Sequence, residues 1–257
     1  MKMMRLNLKL LIIFVLSSLL FSAKSYAKTS MDSFEDDEFE IYDSQNSITV
    51  HDPLEKFNRK IFGFNEFADR YFIEHVARIY RRSLPQDART LVRNFLKNLS
   101  LPFSLINSIA QGKSDNSMAT FSTFLINSTI GIGGLFDVAG HKSIRYTHED
   151  FGQTLGFYGV GSGIYIVLPI LGPSSGRDLT GATFEAALSP MGFNVLEAGG
   201  KDDYFNPYLV VGINTLGGID KRESLLEVIS DIRKESFDPY ATIRSAYIQK
   251  RKADINN

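Results

Sequence analysis

The G-x-S-x-G spacing at residues 172–176 is the pattern in this sequence that most suggests covalent chemistry. The pattern follows the strand-like run Ile164 to Leu171 and precedes a predicted helix. A nucleophilic serine in hydrolases lies on a sharp strand-to-helix turn of this kind, and Ser174 would be that serine here. Hydrolases of this type place an acid and then a histidine after the serine in the chain. All four histidines precede Ser174: His51, His75, His141 and His148. We therefore favour an ordinary turn at this position and keep a serine hydrolase as the alternative.

Metal and nucleotide sites have less support. His141 and His148, with the acids at 149 and 150, lack the i, i+4 spacing of zinc-binding histidines, and the chain has no cysteine. The glycines at 131–134 and 159–163 do not complete G-x-G-x-x-G, and no G-K-[ST] is present. We therefore predict a protein that is not an enzyme, with no catalytic residue, no metal site and no cofactor.

The N-terminal residues are typical of a secretory signal peptide. Three basic residues precede an uncharged run at 10–22, and small residues, Ser25 and Ala27, precede the expected cleavage site. The run is shorter than the roughly 20 apolar residues of a membrane-spanning helix. We expect residues 1–27 to be removed on export.

Composition divides the exported chain into a leader and one domain. Residues 28–50 are rich in Asp and Glu and are predicted to be a disordered leader. Residues 51–252 are predicted to form a single domain, followed by a tail at 253–257, because no internal repeat or second linker is present. The 28 basic and 29 acidic residues give a formal charge of −1, which argues against a nucleic-acid partner.

The domain begins with a strong helix signal. Asp52 is placed as an N-cap, Pro53 at the first helical position and Glu55 in a capping box. One apolar face has helical spacing: Leu54, Phe57, Ile61, Phe64, Ala68, Tyr71 and His75. Three aromatic residues fall off this face: Phe62, Phe67 and Phe72. A helix with aromatic side chains on more than one side needs protein or lipid around it.

Further helices make the predicted fold class mainly α. They are predicted at 85–99, 102–110, 116–129, 179–188, 204–219, 223–232 and 238–252. Residues 116–136 form a 21-residue stretch without charge, which is long for the surface of a soluble protein. A central core helix would also account for this stretch. The bases at 250–252 could contact anionic lipid headgroups, although a solvated helix end is the simpler interpretation.

The stretch 151–176 has no charged residue, seven glycines and two prolines. A regular membrane-spanning helix is not expected here, because Pro169 and the glycines between 156 and 163 would break it. Irregular apolar backbone cannot face lipid with unpaired peptide groups, so this stretch must be buried in protein or line a cavity. An ordinary buried loop and strand is the alternative to a cavity lining.

Several ordered motifs extend over about 200 residues of this sequence. The first is Asp52-Pro53-Leu54-Glu55-Lys56-Phe57-Asn58-Arg59, with Phe62, Phe64 and Asn65. Later segments include Gln111-Gly112, Gly131-Ile132-Gly133-Gly134, Phe151-Gly152-Gln153-Thr154-Leu155-Gly156, Arg177-Asp178 and Asp238-Pro239-Tyr240 with Arg244, Tyr247, Gln249 and Arg251. Together these motifs resemble the MlaA (VacJ) family of outer-membrane proteins.

The resemblance implies a ring-like, single-domain helical protein associated with the outer membrane of a Gram-negative cell, on its periplasmic side, with a central amphipathic channel. Such a protein removes misplaced phospholipids from the outer leaflet and transfers them to a periplasmic carrier, which maintains lipid asymmetry. The implied partners are phospholipid, a trimeric outer-membrane porin and a soluble lipid carrier of the MlaC type. A structural protein that braces the porin is a further alternative.

Two sets of site residues follow from the charge-free stretches and the resemblance. The lipid-path candidates are Phe124, Gly131, Gly133, Gly134, Phe157, Tyr158, Gly159, Val160, Gly161, Tyr165 and Ile166. The channel-regulating part of the first helix is expected at Phe62, Gly63, Phe64 and Asn65.

Three features depart from the family pattern. Many family members are lipoproteins, whereas this chain has no cysteine to acylate, so attachment is expected from apolar surface and partners. Thr123 stands where the family is expected to favour arginine, and Ile164 where proline commonly follows G-x-G.

Overall fold

The computed structural model describes residues 52–188 and 207–256. The predicted signal peptide and leader, and the start of the helix predicted at 204–219, lie outside these residues.

The described residues form helices and one pair of strands. The elements are α1 Glu55–Ala68, a π-helix Asp69–Ile73, α2 Glu74–Ser83, α3 Gln86–Ala110, α4 Ser114–Thr129, α5 Val138–His141, α6 Phe151–Phe157, β1 Tyr165–Leu168, β2 Gly172–Ser175, α7 Gly176–Leu188, α8 Pro207–Ser224, α9 Leu226–Glu235 and α10 Pro239–Asn256. The mainly α fold class is confirmed. Within the described ranges, every helix is too short or too polar to cross a membrane.

The start of α1 differs from the predicted cap. The helix begins at Glu55 and has no side-chain cap. The carboxylate of Asp52 instead accepts hydrogen bonds from Asn58 Nδ2 at 2.9 Å, from Arg244 Nη1 at 3.0 Å and from the Tyr240 hydroxyl. Because a carboxylate paired with a guanidinium forms a bond between two charged groups, this pairing is stronger than a backbone cap. Asp52 therefore joins the start of α1 to α10.

A π-helix interrupts the apolar stripe predicted over residues 54–75. Its wider turns shift the phase of the side chains that follow. Glu66, Asp69 and Glu74 lie on α1, the π-helix and α2, and all three carboxylates bind the guanidinium of Arg233 on α9, at 2.6 to 2.8 Å. The ion-pair cluster therefore joins these three consecutive elements to α9.

Two helices are longer than predicted. α3 continues through Pro102, where the sequence predicted a break, and α10 extends beyond Lys252 into the predicted tail. A proline inside a helix removes one backbone hydrogen bond. Packing against α4 offsets that loss, because side-chain bonds connect the two helices on both sides of the proline: Asn98 Nδ2 to Ser128 Oγ at 2.9 Å and Asn116 Nδ2 to Ser108 Oγ at 2.8 Å.

The α3–α4 pair has polar side chains inside and apolar side chains outside. Residues at the interface are at most 6% exposed and mostly small and polar: Leu101, Ser104, Ser108, Thr120, Thr123 and Asn127. Apolar residues of the same helices are 47 to 67% exposed: Ile106, Ile109, Met118, Phe121 and Leu125. The alternative of a central core helix at 116–129 is therefore wrong, because its apolar face points outward. Small interfacial residues with apolar exteriors are typical of helix pairs surrounded by lipid.

The charge-free stretch forms a short helix and a hairpin. β1 and β2 pair antiparallel, with Tyr165 opposite Ser175 and Ile166 opposite Ser174. The strand-like run thus ends at Leu168, and the ordinary turn expected at residues 172–176 is wrong, because residues 172–175 form β2. A small apolar cluster lies beside the hairpin and contains Tyr165, Val167 and Tyr240, with Ile61, Phe62 and Tyr247 packed against it.

Candidate functional site

The described contacts place the lipid-path candidates in three locations. The first location is the turn after α4. Phe124 is half-buried on α4, and the turn at Gly131–Gly134 folds back on that helix, with Gly134 N donating to Asn127 O at 2.7 Å. Gly134 has φ +92°, and a Cβ there would lie 2.4 Å from the Cβ of Asn98, so no other residue fits. A Cβ at Gly131 would instead meet the carbonyls of Asn127 and Phe136, and Gly133 faces open space with φ +67°. Of the three predicted glycines, only Gly134 therefore serves the close contact of this turn with α3.

The second location is the exposed turn after α6. Phe157, Tyr158 and Val160 are 45 to 67% exposed, and the two aromatic rings pack edge to face. The Tyr158 hydroxyl donates to the carbonyl of Ala110 at the end of α3, and Arg177 Nη1 donates to the carbonyl of Val160 at 3.3 Å. Gly159 and Gly161 are exposed beside them. This turn is an apolar surface on a fixed backbone.

The third location joins the hairpin to α1. Tyr165 is buried and Ile166 half-buried on β1, and the predicted regulating residues Phe62, Gly63, Phe64 and Asn65 lie on α1 beside them. The rings of Phe62 and Tyr240 pack edge to face at 5.6 Å. The two sets of predicted site residues therefore meet at this location, a contact that the sequence did not predict.

Two asparagines of α1 connect that helix to β1. Asn58 Nδ2 donates to Tyr165 O at 3.0 Å, and its Oδ1 accepts from Val167 N at 3.0 Å. The amide of Asn65, one heptad later, donates to Leu168 O at 2.9 Å and accepts from the N–H of residue 170 at 2.7 Å. Asn58 belongs to the opening signature but was not predicted as a site residue. Its spacing of seven residues from Asn65 was the available signal.

A partly buried ion cluster holds the N-terminus of α6 between α7 and α10. Arg251 binds Asp150 through two bonds of 2.7 and 3.0 Å and Asp178 through two bonds of 2.7 and 2.9 Å. The Tyr247 hydroxyl also donates to Asp178. Burial acts to raise the pKa of each carboxyl group, but the bonds from Arg251 outweigh it and leave both pKa values lowered. Arg251 is therefore committed to this cluster and is not a free base for lipid headgroups.

A second buried network lies at the C-terminal end of α3. Glu149 is 1% exposed and accepts hydrogen bonds from Gln111 Nε2 at 3.0 Å and Lys113 Nζ at 2.8 Å. Gln111 also donates to Thr154 Oγ1, whose hydroxyl donates to Asn107 Oδ1 at 2.9 Å. Sequence analysis found no site here, because these residues come from separate parts of the chain. The network connects α3 to α6 and so positions the exposed turn after α6.

The site hypothesised for covalent chemistry does not have the required local structure. Ser174 lies within β2 opposite Ile166, whereas a nucleophilic serine of this class sits on a strand-to-helix turn. In the described part of the chain, no group of three or more His, Asp or Glu residues is arranged to hold a metal ion.

Comparisons with known proteins agree on one family. A sequence model of the MlaA lipoprotein family matches residues 50–254. The intermembrane phospholipid transport system lipoprotein MlaA of Escherichia coli K12 is 36% identical over 210 residues, which are 77% of this chain and 76% of that protein. An uncharacterized protein of Rickettsia bellii is 36% identical over 248 residues, 95% of this chain and 92% of the relative. A chain from a structural study of the maintenance of bacterial outer membrane lipid asymmetry superposes with a TM-score of 0.68 at 35% identity, covering 80% of this chain and all of that one.

Proposed function

Because this chain belongs to the MlaA lipoprotein family, we propose that it removes misplaced phospholipids from the outer leaflet of the outer membrane and transfers them to a periplasmic carrier. The observation that carries this proposal is the family match over residues 50–254, which contains the helices, the hairpin and all the lipid-path candidates. Exposing two acyl chains to water costs on the order of 20 kcal/mol, so a protein path along the membrane removes most of that barrier.

Exposed apolar side chains of the described helices support membrane association. Besides those on α3 and α4, they include Phe64, Phe67, Tyr71 and Phe72 on α1 and the π-helix, which are 50 to 70% exposed. Such a surface supports attachment to the outer membrane without a membrane-spanning helix. This sequence contains no cysteine, so we propose attachment through apolar surface and partners. A trimeric porin and a soluble lipid carrier complete the proposed transport route.

The proposed function is tested in cells that lack this chain. Outer-leaflet phospholipid should rise in the deletion strain and return to the wild-type level when the chain is restored. Unchanged outer-leaflet phospholipid would contradict the proposal. Phospholipid that copurifies with the protein separates transport from the alternative of a porin brace, which predicts no bound lipid. The serine hydrolase is not favoured, because Ser174 lies within a strand.

Replacing Val160 with aspartate should raise outer-leaflet phospholipid while leaving the amount of protein unchanged. Val160 is 45% exposed and is held through its backbone carbonyl, so a charge at this side chain disturbs acyl chains more than it disturbs the fold. Val228 on α9 provides a matched control, since it is 52% exposed and belongs to none of the three candidate locations. Immunoblotting and an outer-leaflet lipid assay measure the two effects. Equal lipid levels in the two aspartate variants would remove the α6 turn from the proposed path.

A further inference from the structure

A cavity of about 370 Å³ lies between the first turns of α3 and the end of α8. Three arginines line it: Arg81 on α2, and Arg89 and Arg93 on α3. Gln86 and Glu223 are also part of the lining. The volume falls in the range of small-ligand pockets, about 300–1,000 Å³. None of the lining residues is a lipid-path candidate, so the cavity is separate from the three locations described above.

The cavity presents guanidinium groups, while the carboxylates that pair with them are buried. Glu223 is 2% exposed, and both of its oxygens are bound. Its Oε1 accepts from Arg81 Nε at 2.7 Å and from Arg89 Nη1, and its Oε2 accepts from Arg93 Nη2 at 3.2 Å. Asp220 is 4% exposed and accepts two further bonds from Arg93. A ligand that enters the cavity therefore meets arginine N–H groups before it meets carboxylate oxygens.

Two of the three arginines have hydrogen-bond donors to spare. A guanidinium has five N–H donors. Arg81 uses its donors on Glu223 and on Glu227, which is exposed and outside the lining. Within the described residues, the side chain of Arg89 makes one bond, through Nη1, and its Nε is buried without a partner. Arg93 binds through Nε and Nη2, which leaves its Nη1 without a partner among the same residues. Unsatisfied donors of this kind indicate a bound ion or water.

The residues with spare donors share one face of α3. Gln86, Arg89 and Arg93 follow one another at steps of three and four residues, which is the spacing of neighbours on a helix surface. The amide of Gln86 is exposed and makes no side-chain bond within the described ranges. All three side chains line the same cavity. Two guanidinium groups beside an amide suit a phosphate group, because its oxygens accept hydrogen bonds and match the planar fork of arginine.

An exposed apolar turn lies close to this cavity. Asn94, the residue after Arg93, donates to the carbonyl of Leu135 at 3.2 Å, at the end of the glycine turn that follows α4. Ile130, Ile132 and Phe136 around that turn are 48 to 66% exposed. The five residues from Arg89 to Asn94 rise only about 7.5 Å along a helix. A phosphate in the cavity and an acyl chain on the turn are therefore close enough to belong to one molecule.

We propose that Arg89 and Arg93, with the amide of Gln86, bind a phosphate group, and that this group is the phosphodiester of a phospholipid headgroup. The first half of this inference concerns the protein alone. The second half rests on the proposed transport function. Inorganic phosphate has the same acceptor chemistry and is the other source of the ligand, so the experiment uses both.

Phosphorus NMR of the full-length protein in detergent micelles tests the site with two probes. They are inorganic phosphate and glycerophosphoethanolamine, a headgroup phosphodiester without acyl chains. Both resonances should broaden saturably when protein is added, and the diester should displace inorganic phosphate. Arg89→Lys combined with Arg93→Lys keeps the charges beside Glu223 and Asp220 but removes the guanidinium forks. This variant should bind about tenfold more weakly or worse, because hydrogen bonds between charged groups are lost.

Two single variants complete the test. Gln86→Ala removes an exposed amide without disturbing an ion pair and should weaken binding several-fold. Arg82→Gln is the matched control, since Arg82 is exposed and outside the lining, and its loss removes one positive charge near the cavity. This control should bind both probes as the wild type does.

The site is overturned if neither probe binds saturably, or if the double lysine variant binds as tightly as Arg82→Gln. Binding of inorganic phosphate without binding of the diester would overturn the headgroup as the source and leave the phosphate site in place. Failure of the proposed function is distinguishable from both results, because it shows as unchanged outer-leaflet phospholipid in the deletion strain and does not alter the NMR titration.

Discussion

Replacing Arg251 with alanine should lower the free energy of unfolding by about 3 kcal/mol, the lower end of the usual cost of removing one partner from a buried ion pair, because this cluster is partly buried. The side chain of Arg251 is 15% exposed and makes two bonds to each of Asp150 and Asp178. Without Arg251, Asp150 loses its cationic partner among the described residues, and Asp178 keeps only its neighbour Arg177. Denaturant unfolding of the purified protein in detergent measures the change.

The neighbouring residue Lys250 gives a matched control. Its side chain is 73% exposed and pairs with Asp254 one helical turn away, so Lys250→Ala should change the free energy of unfolding by at most about 0.5 kcal/mol. A loss below about 1 kcal/mol for Arg251→Ala would contradict the cluster as a buried structural unit.

The stability of the Arg251→Ala variant should also depend on pH in a characteristic way. The folded pKa values of Asp150 and Asp178 are lowered, so in the wild type their contribution to stability is present above about pH 4 and is lost as the pH falls through the folded values. Without Arg251, burial is left as the largest influence, and it raises both pKa values. The stability difference between wild type and variant should therefore shrink as the pH is lowered from 7, because protonation neutralises the unpaired carboxylates.

Replacing four exposed apolar residues with serine should move the protein from the membrane to the soluble fraction. The substitutions are Phe67→Ser, Phe72→Ser, Ile106→Ser and Ile109→Ser, at positions 61 to 70% exposed. Each side chain buried in lipid contributes about 1.5–3 kcal/mol, so four together account for at least about 6 kcal/mol, or roughly 10⁴-fold in partitioning. Cell fractionation measures the shift, and circular dichroism in detergent should show an unchanged helical content.

A variant in which four exposed lysines are replaced by serine controls for the number of substitutions. Serine at Lys56, Lys60, Lys97 and Lys252, all exposed, removes the same number of side chains without removing apolar surface. This variant should stay with the membrane. If the apolar variant also stays there in full, attachment depends on surfaces other than α1, the π-helix and α3.

Local sequence signals predicted the helices well and their environment poorly. The periodic spacing of Met118, Phe121 and Leu125 identified α4, but periodicity cannot tell whether an apolar face points to a core or to lipid, and here it points outward. Asp52 had the position of a cap, yet its partner Arg244 lies near the other end of the chain, where no local rule could find it. The continuation of α3 through Pro102 likewise depends on packing with α4.

The candidate site was predicted in part for the same reason. The family resemblance directed attention to Asn65 and to Tyr165 and Ile166, which the structure places on neighbouring elements. The other candidates lie on α4 and on two separate turns, and all the candidates remain predictions as site residues. The buried networks around Arg251 and Glu149 were missed, because each joins residues from distant segments through side chains alone.

The polar interior and apolar exterior of the α3–α4 pair also constrain how the protein matures. A folded molecule with this surface is a poor solute, since each exposed aromatic or aliphatic side chain adds attraction to another copy in water. Aggregation competes with membrane insertion during any aqueous stage between synthesis and arrival at the bilayer. For the proposed membrane-attached protein, we therefore expect biogenesis to use either an escorting factor that covers α3 and α4 or completion of folding only at the membrane surface.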